Sequence, residues 1–567
     1  MTEQKGLDKV QQMEKEWEKS YSEKYEKKRG FKLPESRTES GISLKPVYTP
    51  SDVADIDYEE IGMPGSYPYT RGLYPLTYQY QPWMTQQIHG YARAEETRKR
   101  TEKLEKEGMK GFGGSVLFIV PDLASTYGYD PDDQEARGMV GISGVSVSTE
   151  EDISIICDGY DLRKTRVGFS TKNSCPAMLA TYVAYAEKQG YKPNQLNGQS
   201  QNRRKIAWLG QNMRDHPPKD QLKLQVELIK YCVENIPRWN HTNLCGYVAG
   251  ENCASPAQEM AFMLSEAIEL IECGAKAGLD PDEMVPRFSA QMHMGMDFFE
   301  EICKLRAYRK MWARTMQERF GCKKSASQQF RIHIHTGGIN LTAQQPLNNI
   351  TRAALQVLAS VLGGTQSIHT SSYDEAISLP SEDAATTALR VNQVILHESG
   401  VAKVCDPLGG SYYVECLTEK LEKEAWKIVD EIETRGGFTK CMDTGWLWNL
   451  LDQRMKAWRQ EVDQEERLIV GVNKFRQEEA MGVPEFTLDQ DEVERLALER
   501  IKKWKASRNQ DDVKRALKKV EEAAVRYESV EQAGEVMPAM IEAARVGCTV
   551  GEMTNVLFDV YGTAFPY

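Results

Sequence analysis

The sequence predicts an α/β protein: a TIM (β/α)8 barrel with an extended N-terminal arm and a mainly helical C-terminal region. Three observations carry this. From about residue 85 to 400, short strand-like runs alternate with amphipathic helices, the rhythm of parallel β/α units, and their number suits a barrel. Residues 1–30 are instead dense in Lys and Glu at helical spacing. Beyond about 420 the pattern is helical again, with a charged stretch from 490 to 545.

Taken in order, residues 1–30 read as a solvated helix or an arm that packs on a partner, and residues 30–75, richer in Pro, Gly, Ser and Tyr, as an extended wrap with turns. Together they make an N-terminal unit over 1–84. The barrel unit, 85–420, has expected strands over 114–120, 166–171, 195–201, 242–248, 287–291, 330–336 and 366–370. Helices are expected over 256–275, 298–319 and 351–362; the first opens on Ser255 as N-cap with Pro256 in its first turn. The region 421–567 reads as a helical linker and partner-docking unit with one strand-like piece, 467–472. No internal repeat is visible.

Bulk composition excludes several functions. A net charge of −12 disfavours nucleic acid, whose phosphates need a concentrated basic surface. No apolar run approaches the roughly 20 residues that cross a bilayer, and residues 1–28 lack the apolar segment of a signal peptide. A cytoplasmic protein is expected. The 12 cysteines are scattered without a C-x-x-C pair, as reduced thiols rather than a disulfide framework or metal site.

The strands carry an anomaly. Barrel interiors are ordinarily filled by Val, Ile and Leu. Here polar residues recur at period two: Gln199 and Gln201; Ser289, Gln291 and His293; Arg331, His333 and His335. Each set shares one face of its strand. Either that face points inward and the barrel holds something polar, or it points outward against polar helix surfaces.

Longer motifs favour the first reading. Arg71–Pro75 leading into Gln81–Gly90, Asp122 with Gly128–Asp132, Asn243–Val248, Asp297–Glu301 with Lys304–Ala307, Thr365–Thr370 with Asp374–Ala376, and Asp406–Glu415 occur in one order along the chain. In these segments the chain resembles the large subunit of the adenosylcobalamin-dependent acyl-CoA mutases, the methylmalonyl-CoA mutase family. The resemblance implies a radical rearrangement of an acyl-CoA carbon skeleton, with the pantetheine arm threaded along the barrel axis. It also implies a partner. None of the eight histidines sits in the D-x-H-x-x-G pattern that holds cobalt, and the sequence stops at Tyr567 without a flavodoxin-like cobalamin domain. Adenosylcobalamin is therefore expected on a separate small subunit, in a heterodimer or heterotetramer.

Site residues follow from the resemblance. Ile88, Val120 and Gln211 fall at the acyl pocket, where methylmalonyl-type members have Tyr and Arg at the first and last. Val248 replaces a His that bonds the thioester carbonyl, while His335 replaces a Gln and His89 an Ala, so His335 is expected to take over that contact. Tyr74, Thr77, Gln81, Gln86, Ser170, Gln201, Asn240, Arg287 and Ser289 are expected along the coenzyme A channel. Gln81 and Gln86 stand in place of arginines near the phosphates, which points to rerouting through Arg71 or Arg93. Met84, Phe118, Gly168 and Gln199 replace small hydroxyl residues. Gln366, His369, Ser371 and Glu375 are expected near the adenosyl group. The substrate expected from Ile88, Val120 and Gln211 is a branched, apolar acyl-CoA (isobutyryl, pivaloyl or longer). A bulky alkylsuccinyl- or hydroxyacyl-CoA, or a non-catalytic paralogue acting in assembly, are the alternatives.

Overall fold

In the computed structural model of the chain, the described residues are 2–30, 32, 34–87, 90–109, 115–202, 209, 214–477, 482 and 488–564. Eight parallel strands form the centre: β1 (Met84–Thr85), β2 (Val116–Ile119), β3 (Arg166–Phe169), β4 (Gly198–Ser200), β5 in two pieces (Trp239–Asn240 and Thr242–Cys245), β6 (Phe288–Met294), β7 (Arg331–Thr336) and β8 (Ser367–His369). A main helix follows each in turn: Ala94–Lys106, Glu150–Cys157, Cys175–Lys188, Pro218–Asn235, Pro256–Lys276, Phe298–Arg314, Asn348–Leu362 and Glu382–Glu398. Ladders join β2 through β8 in sequence and β8 back to β1. Among the described residues only the β1–β2 seam lacks a ladder; there Val145 bridges both Ala92 and Pro121. This is the cyclic order of a (β/α)8 barrel, with β5 interrupted at His241.

Alternation sorts the side chains as the sequence suggested. On β7, Ile332, Ile334 and Thr336 are buried toward the helices, while Arg331, His333 and His335 stay partly accessible on the other face. One strand was not expected, and one expected strand is absent. β1 lies inside the Gln81–Gly90 motif and is too short to show alternation. The piece 467–472 is not a strand: Gly471 takes φ +88° and the chain doubles back, with an isolated bridge between Val470 and Lys474. A left-handed residue at that point ends an extended run.

Two apolar cores surround the barrel. One packs β6–β8 and their helices against Tyr412–Thr434, Phe438–Asp443 and Trp446–Asp463. The other gathers Phe169, Tyr182 and Trp239 from the β3–β5 side with Val520, Met537, Met540, Met553 and Leu557 from the last helices. Each large side chain buried in this way contributes about 1.5–3 kcal/mol.

One inward pair is complementary in size. A Cβ on Gly168 would lie 2.6 Å from the Phe118 ring, its in-register neighbour. Gly168→Val is therefore expected to destabilise the fold by about 1–3 kcal/mol through overpacking. Phe118→Ser in the same chain should recover part of that loss, read as coupling in a denaturant double-mutant cycle.

Candidate active site

A cavity of about 630 Å³ opens at the N-terminal ends of the strands and runs into the barrel. Its mouth is ringed by Arg166, Arg238, Arg287 and Arg331, each at or just before the start of a strand. Deeper in, Gln199, Asn240, Asn243, Ser289, His333 and Ser367 line one side, and Trp83, Met84 and Phe118 the other. The polar period-two face thus points inward on β4, β6 and β7.

The four arginines form no ion pair among the described residues. Three of them donate to neutral acceptors: Arg166 to Gln199 Oε1 at 3.1 Å, Arg238 to the Arg163 carbonyl and Arg331 to that of Pro286. Burial pushes Arg166 down to about 10, helped by the charges of Arg331 and Arg287. Arg287 is lowered by burial and by Arg331 and Arg238, and Arg331 by burial. Guanidiniums crowded together without a counter-charge form a site for a polyanion.

The expected rerouting through Arg71 or Arg93 is corrected by this geometry. Arg71 is paired with Asp406 at 2.8 Å and Arg93 with Glu96 at 2.6 Å, and neither lines the cavity. Arg166 and Arg331 line the mouth instead, and with Arg238 they are absent from the residues expected along the channel. Their signal was available: each shares its strand's inward face with Gly168 or His333, two residues on.

Of the residues expected along the channel, Tyr74, Thr77, Gln81, Gln86, Asn240, Arg287 and Ser289 line the cavity. Ser170 and Gln201 are buried near its inner end without lining it. Ile88, His89 and Gln211 lie outside the described residues. Val120 follows β2, and its carbonyl accepts from Val145 N at 2.8 Å. Val248 is buried beside Cys245 on the short helix Tyr247–Glu251.

The opposite, C-terminal end of the strands holds a rank of imidazoles. His293, His335 and His369 are in register across β6, β7 and β8. The His335 ring stacks on Tyr247 (centroids 4.0 Å, 9°) and meets His369 edge-on at 4.1 Å. Gln291 Nε2 lies 3.2 Å from His335 Nδ1, which fits an acceptor there and a hydrogen on Nε2. His293 faces Glu251 at 3.5 Å; burial opposes its charge, yet Glu251 holds its pKa above the usual histidine value. Glu251 itself accepts from the N–H groups of Gly338 and Ile339 at 2.7 and 2.8 Å.

His369, Ser371 and Glu375 sit at this same end. Glu375 accepts from Ser372 N at 3.2 Å, and burial, with Glu251 nearby, pushes its carboxyl up to about 7. Ser371 spends its hydroxyl on the Thr336 carbonyl. Gln366 does not belong with them. It precedes β8, lines the N-terminal mouth, and uses its amide on Ile332 N and the Gly364 carbonyl. Its place among cofactor contacts is withdrawn, because one strand length separates it from the others.

A barrel with a cationic mouth, a polar axis and a C-terminal end rich in imidazoles has the layout of an enzyme. A family profile described as methylmalonyl-CoA mutase matches residues 37–563. The chain is 37% identical over 526 residues to the mitochondrial methylmalonyl-CoA mutase of Homo sapiens, covering 93% of this chain and 68% of that protein. It is 36% identical over 555 residues to the 2-hydroxyisobutanoyl-CoA mutase large subunit of Aquincola tertiaricarbonis, covering 98% and 97%. The methylmalonyl-CoA mutase of Rhizobium meliloti is 35% identical over 531 residues, covering 93% and 73%. The chain belongs to the methylmalonyl-CoA mutase family, whose members are coenzyme B12-dependent isomerases. No described helix is long and apolar enough to cross a membrane.

Proposed function

We propose that this chain is the large, substrate-binding subunit of an adenosylcobalamin-dependent mutase for a compact, branched acyl-CoA other than methylmalonyl-CoA. The observation that carries this reading is the cluster of four arginines without counter-charge at the mouth of a polar barrel axis. Coenzyme A bears a similar cluster of negative charges at one end and a long polar arm leading to the thioester. From Arg331 to His335 the accessible face of β7 runs about 13 Å at the rise of a parallel strand, so an arm anchored at the mouth delivers its thioester to the imidazoles.

His335, with its hydrogen on Nε2, is suited to donate to the thioester carbonyl in place of the His that Val248 replaces. Val120 and Val248 put apolar side chains where the family's motifs place the acyl group and its thioester. Gln211, by its place in the sequence, supplies no cation for a second carboxylate, and an unpaired buried carboxylate costs several kcal/mol. A coenzyme held chiefly by a small partner subunit would supply the radical chemistry of the rearrangement. His369 and Glu375 would meet its adenosyl group, and the enclosed barrel keeps water from the radical.

The test combines the chain with a cobalamin-binding D-x-H-x-x-G subunit, adenosylcobalamin and a panel of acyl-CoAs, followed by electron paramagnetic resonance. A signal dependent on one branched acyl-CoA is expected. Silence with every thioester would support a non-catalytic role. His335→Gln is expected to lower kcat by about 10- to 100-fold with little change in KM, the loss of a hydrogen bond that tightens in the transition state.

A further inference from the structure

We propose that His293 is a specificity-determining residue that selects an acyl group carrying a neutral oxygen substituent, a hydroxyl or a keto group. This rests on the acyl-CoA mutase reading and names the substrate class within it. His293 occupies the inward position of β6 two residues beyond Gln291 and four beyond Ser289, which lines the cavity. It is in register with His335, so a thioester held at His335 brings its acyl group alongside the His293 ring.

The ring has no freedom to turn away. A Cβ on Gly250 would lie 2.4 Å from His293 Cβ, and one on Gly337 would lie 2.3 Å from its Nε2. The backbone is fixed as well: His293 N donates to Glu259, and its carbonyl accepts from Lys304 Nζ. Two glycines and a buried ion cluster thus hold one imidazole at one place. Its Nε2 is buried and faces the Glu251 carboxylate at 3.5 Å, an ion-pair contact too long for a well-formed hydrogen bond. A ligand oxygen placed between the two would give Nε2 the short hydrogen bond that it lacks.

The charge balance decides which oxygen. The Glu251 carboxylate is pinned beside the ring by Gly338 and Ile339, and Glu375 is close enough to feel its charge. Glu251 already balances the charge of the imidazole, so a further carboxylate on the substrate would find no cation left to pair with there. A hydroxyl accepts from His293 and donates to Glu251, and a keto oxygen accepts from His293. A methyl group of the same size leaves Nε2 as it was. The apolar side chains of Val120 and Val248 still suit the alkyl branches, so the substrate has one oxygenated side and one alkyl side.

Equilibrium binding to the full chain, without coenzyme, tests this apart from turnover. Pivaloyl-CoA and 2-hydroxyisobutyryl-CoA differ only in a methyl for a hydroxyl, and methylmalonyl-CoA adds a carboxylate. The hydroxyacyl thioester is expected to bind at least about tenfold tighter than pivaloyl-CoA, as when a site built for a hydroxyl meets an analogue without it. Methylmalonyl-CoA should bind weakest. In His293→Ala the hydroxyl preference should fall below about threefold while the affinity for free coenzyme A stays unchanged. Glu251→Gln should strengthen methylmalonyl-CoA binding, and it remains informative if His293→Ala does not fold. Equal or tighter binding of pivaloyl-CoA, or a preference that survives in His293→Ala, overturns the assignment. If free coenzyme A and all three thioesters fail to bind, the coenzyme A reading falls and takes this inference with it.

Discussion

Arg166→Ala and Arg331→Ala are each expected to weaken coenzyme A binding by about 10- to 100-fold, equivalent to about 1.5–3 kcal/mol for a charge-assisted hydrogen bond. Both guanidiniums stand at the cavity mouth without a carboxylate, so nothing internal compensates for their loss to the ligand. Removing either should at the same time relieve repulsion among the rest, since burial and like charge already lower Arg166 and Arg287. The free chain should therefore be no less stable, and only the complex should suffer. Wild-type affinity should also fall as salt is added, and more gently in the variants. Arg163→Ala, an exposed residue paired with Asp161, is the control and should leave the affinity unchanged. Titration calorimetry with coenzyme A at two ionic strengths reads all of these. Equal affinity of wild type and both variants would place the phosphates elsewhere.

Lys304→Met is expected to destabilise the chain by about 3–5 kcal/mol, the usual consequence of removing one member of a buried ion cluster. Lys304 is fully buried and reaches Glu259 at 2.7 Å, Glu301 at 2.5 Å and the His293 carbonyl at 2.5 Å. Burial works against its charge, yet the two carboxylates hold its pKa above the usual lysine value. Glu259 and Glu301 in turn accept from the backbone N–H groups of His293 and Gly295. Methionine would leave two carboxylates buried without a cation. It would also release the end of β6, so any folded protein that remains should lose discrimination among acyl groups before it loses coenzyme A. Denaturant unfolding gives the first effect, and the thioester panel gives the second. An unchanged unfolding midpoint would mean that the cluster relaxes into water.

Much of this was legible in the sequence, for a physical reason in each case. The barrel showed because amphipathic helices such as Pro256–Lys276 carry a long apolar period between short strands, and the Ser255–Gln258 capping box marks its start. The polar interior showed because Arg331, His333 and His335 alternate with Ile332, Ile334 and Thr336. β1 did not show, because two residues cannot display a period. Arg287 was expected in the channel and Arg331 on an inward face, but the ring as a whole did not show, for a different reason. Arg166, Arg238, Arg287 and Arg331 are dispersed along the chain, and only closure of the barrel brings them together. Gln366 was misplaced by its nearness in sequence to His369, since three residues of strand are enough to separate the two ends of a site. The resemblance located residues at motif positions, but it could not say that His293, outside those motifs, stands in register with His335.

The shared core between the β3–β5 side and the last helices also bears on how the chain is made. Phe169, Tyr182 and Trp239 are covered by Met537, Met540 and Leu557, residues synthesised several hundred positions later. At translation rates of about 5–20 residues per second, that apolar surface waits on the order of tens of seconds for its cover. During that interval the half-built barrel is a client for chaperones, and the contacts that complete it are among the most distant in sequence. Low-temperature expression, or co-expression of a holdase, should therefore raise the soluble yield of this chain more than that of a protein of equal length with local contacts.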